Sequence, residues 1–235
     1  MPANPGAGNP RGYYENVALR VLHDKFLSDI DSIWWDHKPV RPRRFLGLTA
    51  RRFRQDLRQL LVEQFGPDRP LIKDPRLCRL MPLWLPIIKD YFPQASFLLP
   101  IRHPVEVALS LGKRDQLELD KCLKLWAVHV LEGERATRGF SRQFTTYDQL
   151  MKSPVETVAP LAKNLGLAAD AVTIVVPGQI DPSLRHHAAP SWPAGQPHQD
   201  LTLSIHETLV SEEPKKEEKL DCLRDEYYRR MRWPC

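Results

Sequence analysis

The sequence predicts an α/β chain with mainly parallel strands, and three observations carry that reading. Two short apolar runs, Leu71–Ile72 and Phe97–Ile101, each stop at a basic residue, Lys73 and Arg102. Between them Leu77, Leu80, Met81, Trp84, Leu85 and Ile88 recur at the three- and four-residue spacing of an amphipathic helix. Strands joined by a crossover helix run parallel, and open parallel sheets take ligands beyond their carboxyl ends, the side on which Lys73 and Arg102 fall.

Composition narrows the class. A chain of 235 residues and 27.2 kDa suits one domain, or one domain with a tail. With 42% hydrophobic residues and no apolar run near the length of a membrane span, neither a spanning segment nor a membrane partner is expected. No N-terminal stretch joins basic residues to an apolar core, so no secretion signal is read. Cys78, Cys122, Cys222 and Cys235 form no CxxC pair, which argues against a zinc site and a dithiol motif and for reduced thiols in a cytoplasm. The adjacent His186 and His187 lack further ligands at zinc spacing, so no metal is expected. A net charge of +5 suits an anionic ligand. Nucleic acid is disfavoured as that ligand, because no RNA-recognition signature, zinc-finger spacing or aromatic-interleaved basic helix is present.

Taken in order, residues 1–11 are rich in Pro and Gly and read as an extended loop. Val17, Leu19, Leu22, Phe26 and Leu27 mark a helix face, preceded by Glu15, where a carboxylate is favoured by the helix dipole. Residues 31–46 read as a loop whose adjacent Trp34 and Trp35 cover a core edge or line an entrance. Phe53, Leu57, Leu60, Leu61 and Phe65 share one face of a helix that stops at Gly66. The arginines at 41, 43, 44, 51, 52 and 54 fit a solvated face, or one that attracts an anion.

After the central unit, Pro104 opens a helix through Leu111. Leu119, Leu123, Trp126, Val130 and Leu131 bury the next, with Glu132, Glu134, Arg135 and Arg138 facing outward and Gly139 at its end. Phe144–Tyr147 predicts a short strand, and Ser153–Pro154 with Glu156 a capped helix to about residue 165. Residues 188–200 read as a linker. Residues 201–235 read as a helical tail, with helices around Leu201–Val210 and Leu220–Met231 separated by a solvated charged run.

Arg102 precedes a helix N-terminus and Ser110 follows eight residues later. An arginine fork and a hydroxyl at such a place can grip phosphate oxygens. By residue chemistry alone they equally fit a surface ion pair and a helix-flank serine.

IRHPVEVALSL, residues 101–111, resembles the 3′-phosphate-binding segment of sulfotransferases that use PAPS (3′-phosphoadenosine 5′-phosphosulfate), where an Arg at a strand end and a Ser eight positions on hold that phosphate. IKDPRL, residues 72–77, is similar to the strand these enzymes place beside the transferring sulfuryl group. The resemblance spans roughly residues 9–187 and implies a three-layer P-loop-type nucleotide-binding fold, residues 1–187 forming the domain. It assigns Arg102 and Ser110 to the nucleotide and Lys73 to the reaction centre, and Glu15 to deprotonation of the acceptor, with Asp74 as the alternative base. Arg185, in IDPSLRHH, is matched by position to a late basic segment closing over the nucleotide. The implied reaction moves a sulfuryl group from PAPS to a hydroxyl or amine of a small-molecule or glycan-type acceptor, without a metal. The departure lies at the start: no GxxxxGK[ST] and no strand precedes Gly12, so the first strand and its phosphate loop are expected to be missing, which leaves an inactive nucleotide- or protein-binding relative as the alternative.

Overall fold

The computed structural model describes residues 12–66, 70–164 and 198–232. It is mostly helical, with one two-stranded parallel sheet, and it divides into two compact units. The first holds the described residues up to Ala95 together with Glu132–Ala136; the second holds Ser96–Leu131 and the described residues from Thr137 onward.

The first unit is built from α1 (Val17–Asp29), a short 3-10 turn (Pro42–Phe45), α2 (Gly47–Phe65) and α3 (Leu77–Tyr91). Asn16 caps α1 by accepting from the Leu19 N–H at 3.0 Å, and Gly66 stops α2 at φ +54°, a conformation that favours glycine. Ala50, Phe53, Leu57 and Leu61 form the buried stripe of α2 at helical spacing. α2 packs on both α1 and α3, with Phe26 and Phe53 ring centroids 5.0 Å apart. Helix α3 contains Pro82 and Pro86, each of which removes a backbone donor. Both prolines are exposed, while Leu80, Leu83, Trp84 and Ile87 are buried, so the hydrophobic face survives.

The predicted strand at Leu71–Ile72 does not form. The segment is irregular and Leu71 is 77% exposed. A strand exists by pairing, and a four-residue stretch between Pro70 and Pro75 offers few donors to a neighbour that the described residues do not supply. Helix α3 is therefore not the crossover of a parallel pair.

That role falls to α4 (Pro104–Asp115) and α5 (Leu119–Ala136) in the second unit. They join β1 (Ser96–Ile101) to β2 (Ser141–Thr146), which pair in parallel from Ser96 opposite Ser141 to Ile101 opposite Thr146. Then come α6 (Tyr147–Lys152), α7 (Pro154–Asn164), α8 (Gln199–Val210) and α9 (Lys216–Arg230). The reciprocal capping box is made at Thr146 and Gln149, at the start of α6. Glu134, expected on the outer face of α5, is buried; it lies three residues beyond Leu131 and so shares that residue's face.

The C-terminal helices pack into the second unit. Helix α8 lies against β1 and α4 and buries Leu201, Ile205 and Leu209, and α9 packs on α8. Tyr227 donates its hydroxyl to the Lys124 carbonyl at 2.9 Å, and Arg230 grips Asp200 with two bonds of 2.9 and 3.0 Å. The charged run expected to be solvated is in part the first turn of α9, where Glu217 pairs with Arg142.

The stripe of α2 gives a direct test. Leu57 is fully buried. Leu57→Ala is expected to lower unfolding free energy by about 2–5 kcal/mol in urea titration of the full chain, the cost of an unfilled leucine site, whereas exposed Val62→Ala stays within about 0.5 kcal/mol.

Candidate functional site

In the first unit the sequence-predicted residues Glu15, Lys73 and Asp74 come together around Arg76. Tyr14 adopts a left-handed φ of +54° just before Glu15, at the entry to α1. Glu15 Oε1 accepts from Lys73 Nζ at 2.8 Å, and Lys73 also donates to the Tyr13 carbonyl at 3.0 Å. Arg76 Nη1 lies 3.5 Å from the other Glu15 oxygen. The same guanidinium donates to both oxygens of Asp24, at 2.6 and 3.2 Å, and to Asp74 Oδ1 at 3.1 Å.

Asp74 continues the chain inward. Its Oδ1 also accepts from the Arg76 backbone N–H at 2.9 Å, and its Oδ2 meets His23 Nδ1 at 2.9 Å. Trp84 Nε1 stands 3.0 Å from the second His23 nitrogen, Nε2. An indole N–H can only donate, so Nε2 accepts and the His23 proton sits on Nδ1, directed at Asp74. Burial works to raise the Asp74 carboxyl, but hydrogen bonds from His23 and the Arg76 backbone, with the Arg76 charge, outweigh it and hold its pKa below the ordinary value. The cluster thus sets two cations against three carboxylates, and Lys73 is its outermost member, with a side chain 51% exposed.

In the second unit Arg102 follows β1. Its Nε donates to Glu106 at 2.9 Å, its guanidinium lies 4.2 Å from the Tyr147 ring centroid, and its carbonyl accepts from Trp126 Nε1 at 3.0 Å. A cavity of about 220 Å³ opens where the two parallel strands end: Arg102, His103 and Glu106 line it beyond β1, Thr146, Tyr147 and Asp148 beyond β2, and His206 from α8. Ligand pockets typically run to roughly 300–1,000 Å³. This space therefore suits a phosphate-sized group better than a whole nucleotide. His103 Nδ1 accepts from the Val105 N–H at 3.3 Å, capping α4, and its ring centroid is 5.0 Å from that of His206. Burial lowers both imidazole pKa values below 6.5; Glu106 and Asp148 oppose this at each, and His103 adds to it at His206.

Ser110 is exposed and lies outside the cavity lining, six residues along α4 from Pro104, or about 9 Å at the rise of an α-helix. Arg185 falls outside the described residues. No group of histidine, cysteine and acidic side chains suited to a metal occurs among the described residues. His206, Tyr147 and Glu106 were missed by sequence reasoning. The signal for Glu106 was its position four residues after Arg102 in a helix; for His206, on a helix distant in sequence, there was none. Among the described residues Cys78, Cys122 and Cys222 form no disulfide, and burial raises the pKa of Cys78 and Cys122 to about 11.

Comparison with family profiles, with curated proteins and with solved structures gives no match.

Because the Asp74 pKa is lowered in the fold, its stabilising contribution is complete above the unfolded value of 3.8 and is lost as pH falls through the folded one. Asp74→Asn is expected to cost about 1.5–3 kcal/mol at pH 7 and to flatten the acid limb of the stability profile below about pH 4. Denaturant unfolding across that range measures both.

Proposed function

We propose that this chain is a relative of PAPS-dependent sulfotransferases and that the end of β1 holds the 3′-phosphate of the nucleotide. The carrying observation is the cavity at the carboxyl ends of the parallel pair β1 and β2, with Arg102 in its lining. Open parallel sheets bind ligands at that edge, and an arginine there can present two donors to a phosphate. In this reading β1 and β2 belong to a three-layer P-loop-type sheet, which asks for further strands beside them.

The reading gives each residue one task. Arg102 leaves Glu106 in part to meet the phosphate, while Ser110, exposed and outside the cavity lining, takes no part in that contact. Lys73 offsets charge on the sulfuryl oxygens and on the leaving phosphate, as fixed cations do in phosphoryl transfer. The acceptor oxygen or nitrogen bonds to sulfur while the bond from sulfur to the 5′-phosphate oxygen breaks, giving PAP. Glu15 takes the acceptor proton.

A second reading, nucleotide binding without turnover, has its own observation. Both cations the chemistry needs already have carboxylate partners, Lys73 in Glu15 and Arg102 in Glu106. In that state Glu15 serves Lys73 and Arg76 rather than an acceptor.

Calorimetry with PAP, and with adenosine 5′-phosphate as the ligand lacking the 3′-phosphate, tests the proposal. PAP is expected to bind more tightly than adenosine 5′-phosphate, and Arg102→Ala to weaken PAP by about 1.5–3 kcal/mol. Affinity rises as pH falls below 6.5, where the cavity imidazoles gain protons, and His206→Ala flattens that rise. A folded chain that does not distinguish the two nucleotides, or an Arg102→Ala variant that binds PAP like the parent, overturns the site. Sulfuryl transfer from PAPS then separates enzyme from binding module.

A further inference from the structure

The stretch from His37 to Gln55 holds seven basic residues and no acidic one, while the whole chain has a net charge of only +5. The rest of the molecule is net acidic by two, so the positive charge of this protein is one local feature. It sits where the 3-10 turn Pro42–Phe45 runs into α2.

Two large apolar side chains stand in the middle of that charge. Leu46 is 71% exposed and Leu48 is 70% exposed, among the most exposed large hydrophobics of the described residues. Gly47 between them has φ +83°, and a Cβ built there would meet nothing within 4 Å, so the turn projects into open space. On α2, Leu48, Arg51 and Arg52 occupy one helical face at three- and four-residue spacing and are all exposed, while Ala50 and Phe53 point into the core. Arg43 and Arg44 are exposed on the other side of Leu46, and Arg44 is only loosely tied to Asp31, at 3.5 Å.

Exposed leucines flanked along the chain by exposed arginines match one kind of surface. Arginine alone would suit any polyanion, but a phosphate polymer would leave both leucines solvated. An anionic bilayer takes both parts, the side chains entering the acyl boundary and the cations resting among the headgroups. No helix among the described residues is long and apolar enough to cross a membrane, and this mode needs none.

We infer that the Arg43–Arg52 segment is a peripheral docking surface for membranes rich in anionic lipid. Flotation of the full chain with vesicles of phosphatidylcholine, with and without phosphatidylserine, tests it. Binding is expected only with phosphatidylserine and falls steeply as salt is raised. Leu46→Ser with Leu48→Ser should weaken it by about tenfold or more with all charges retained, and Arg43→Glu with Arg51→Glu should abolish it. Circular dichroism confirms that the variants, all at exposed positions, remain folded. Failure of the parent chain to bind phosphatidylserine vesicles at low salt would overturn the inference. So would binding indifferent to the leucine pair, and so would capture by a polyanion such as heparin without capture by the vesicles.

Discussion

The first unit depends on how Arg76 is neutralised. A guanidinium with so little solvent access cannot be left uncompensated, because an unpaired buried charge costs several kcal/mol. The fold answers with three carboxylates: Asp24 from α1, Glu15 from the segment leading into it, and Asp74 from the turn before α3. Asp74 would be an awkward second charge in the interior, and the His23 proton answers it; Trp84 in turn fixes which nitrogen carries that proton. One line of donors and acceptors thus runs from the exposed Lys73 amine to an indole in the core. It fastens the turn 73–76 to α1 without a strand.

The second unit rests on a different constraint. A two-stranded sheet is a weak element by itself, and two parallel strands cannot be joined by a tight turn. Helices α4 and α5 supply the crossover and α8 covers β1, so residues far apart in sequence meet where the strands end. That is why the cavity combines side chains from β1, β2 and α8. Its charges are mixed: the arginine has an internal carboxylate, and the two histidines are held neutral by burial at ordinary pH. Protonation of the two histidines adds positive charge to that mixture as pH falls.

Long periodic segments were legible in the sequence. Helices α1 to α5, β1 and β2 all carry local signals, namely apolar spacing, a first-turn proline and a glycine stop, and these signals outlasted even two prolines in α3. Leu71–Ile72 was misread because an apolar pair before a charge looks the same whether or not a neighbour exists to pair with it. Glu134 was misread because a charged residue near a helix end was taken to face water, although it completes the face begun by Leu131. The partners of Arg76 lie 52 residues away at Asp24 and, by the same long-range closure, at Glu15, and no local pattern announces such pairs. Exposure was equally invisible: Leu46 ended the segment read as a loop and Leu48 was assigned to no helix face, and the turn at Gly47 sets both outside the core.

The hydrogen bond from Tyr227 to the Lys124 carbonyl spans 103 residues, and it ties α9 to α5. On a ribosome the chain is made from its N-terminal end, so α5 emerges long before the side chain that seals it. The first unit, apart from the five residues at the end of α5, can assemble while synthesis continues. The second must hold β1, α4 and α5 partly uncovered until α8 and α9 arrive. Its hydrophobic surface is therefore open for the longest part of the protein's making, and that interval is when a chaperone would be of most use to it.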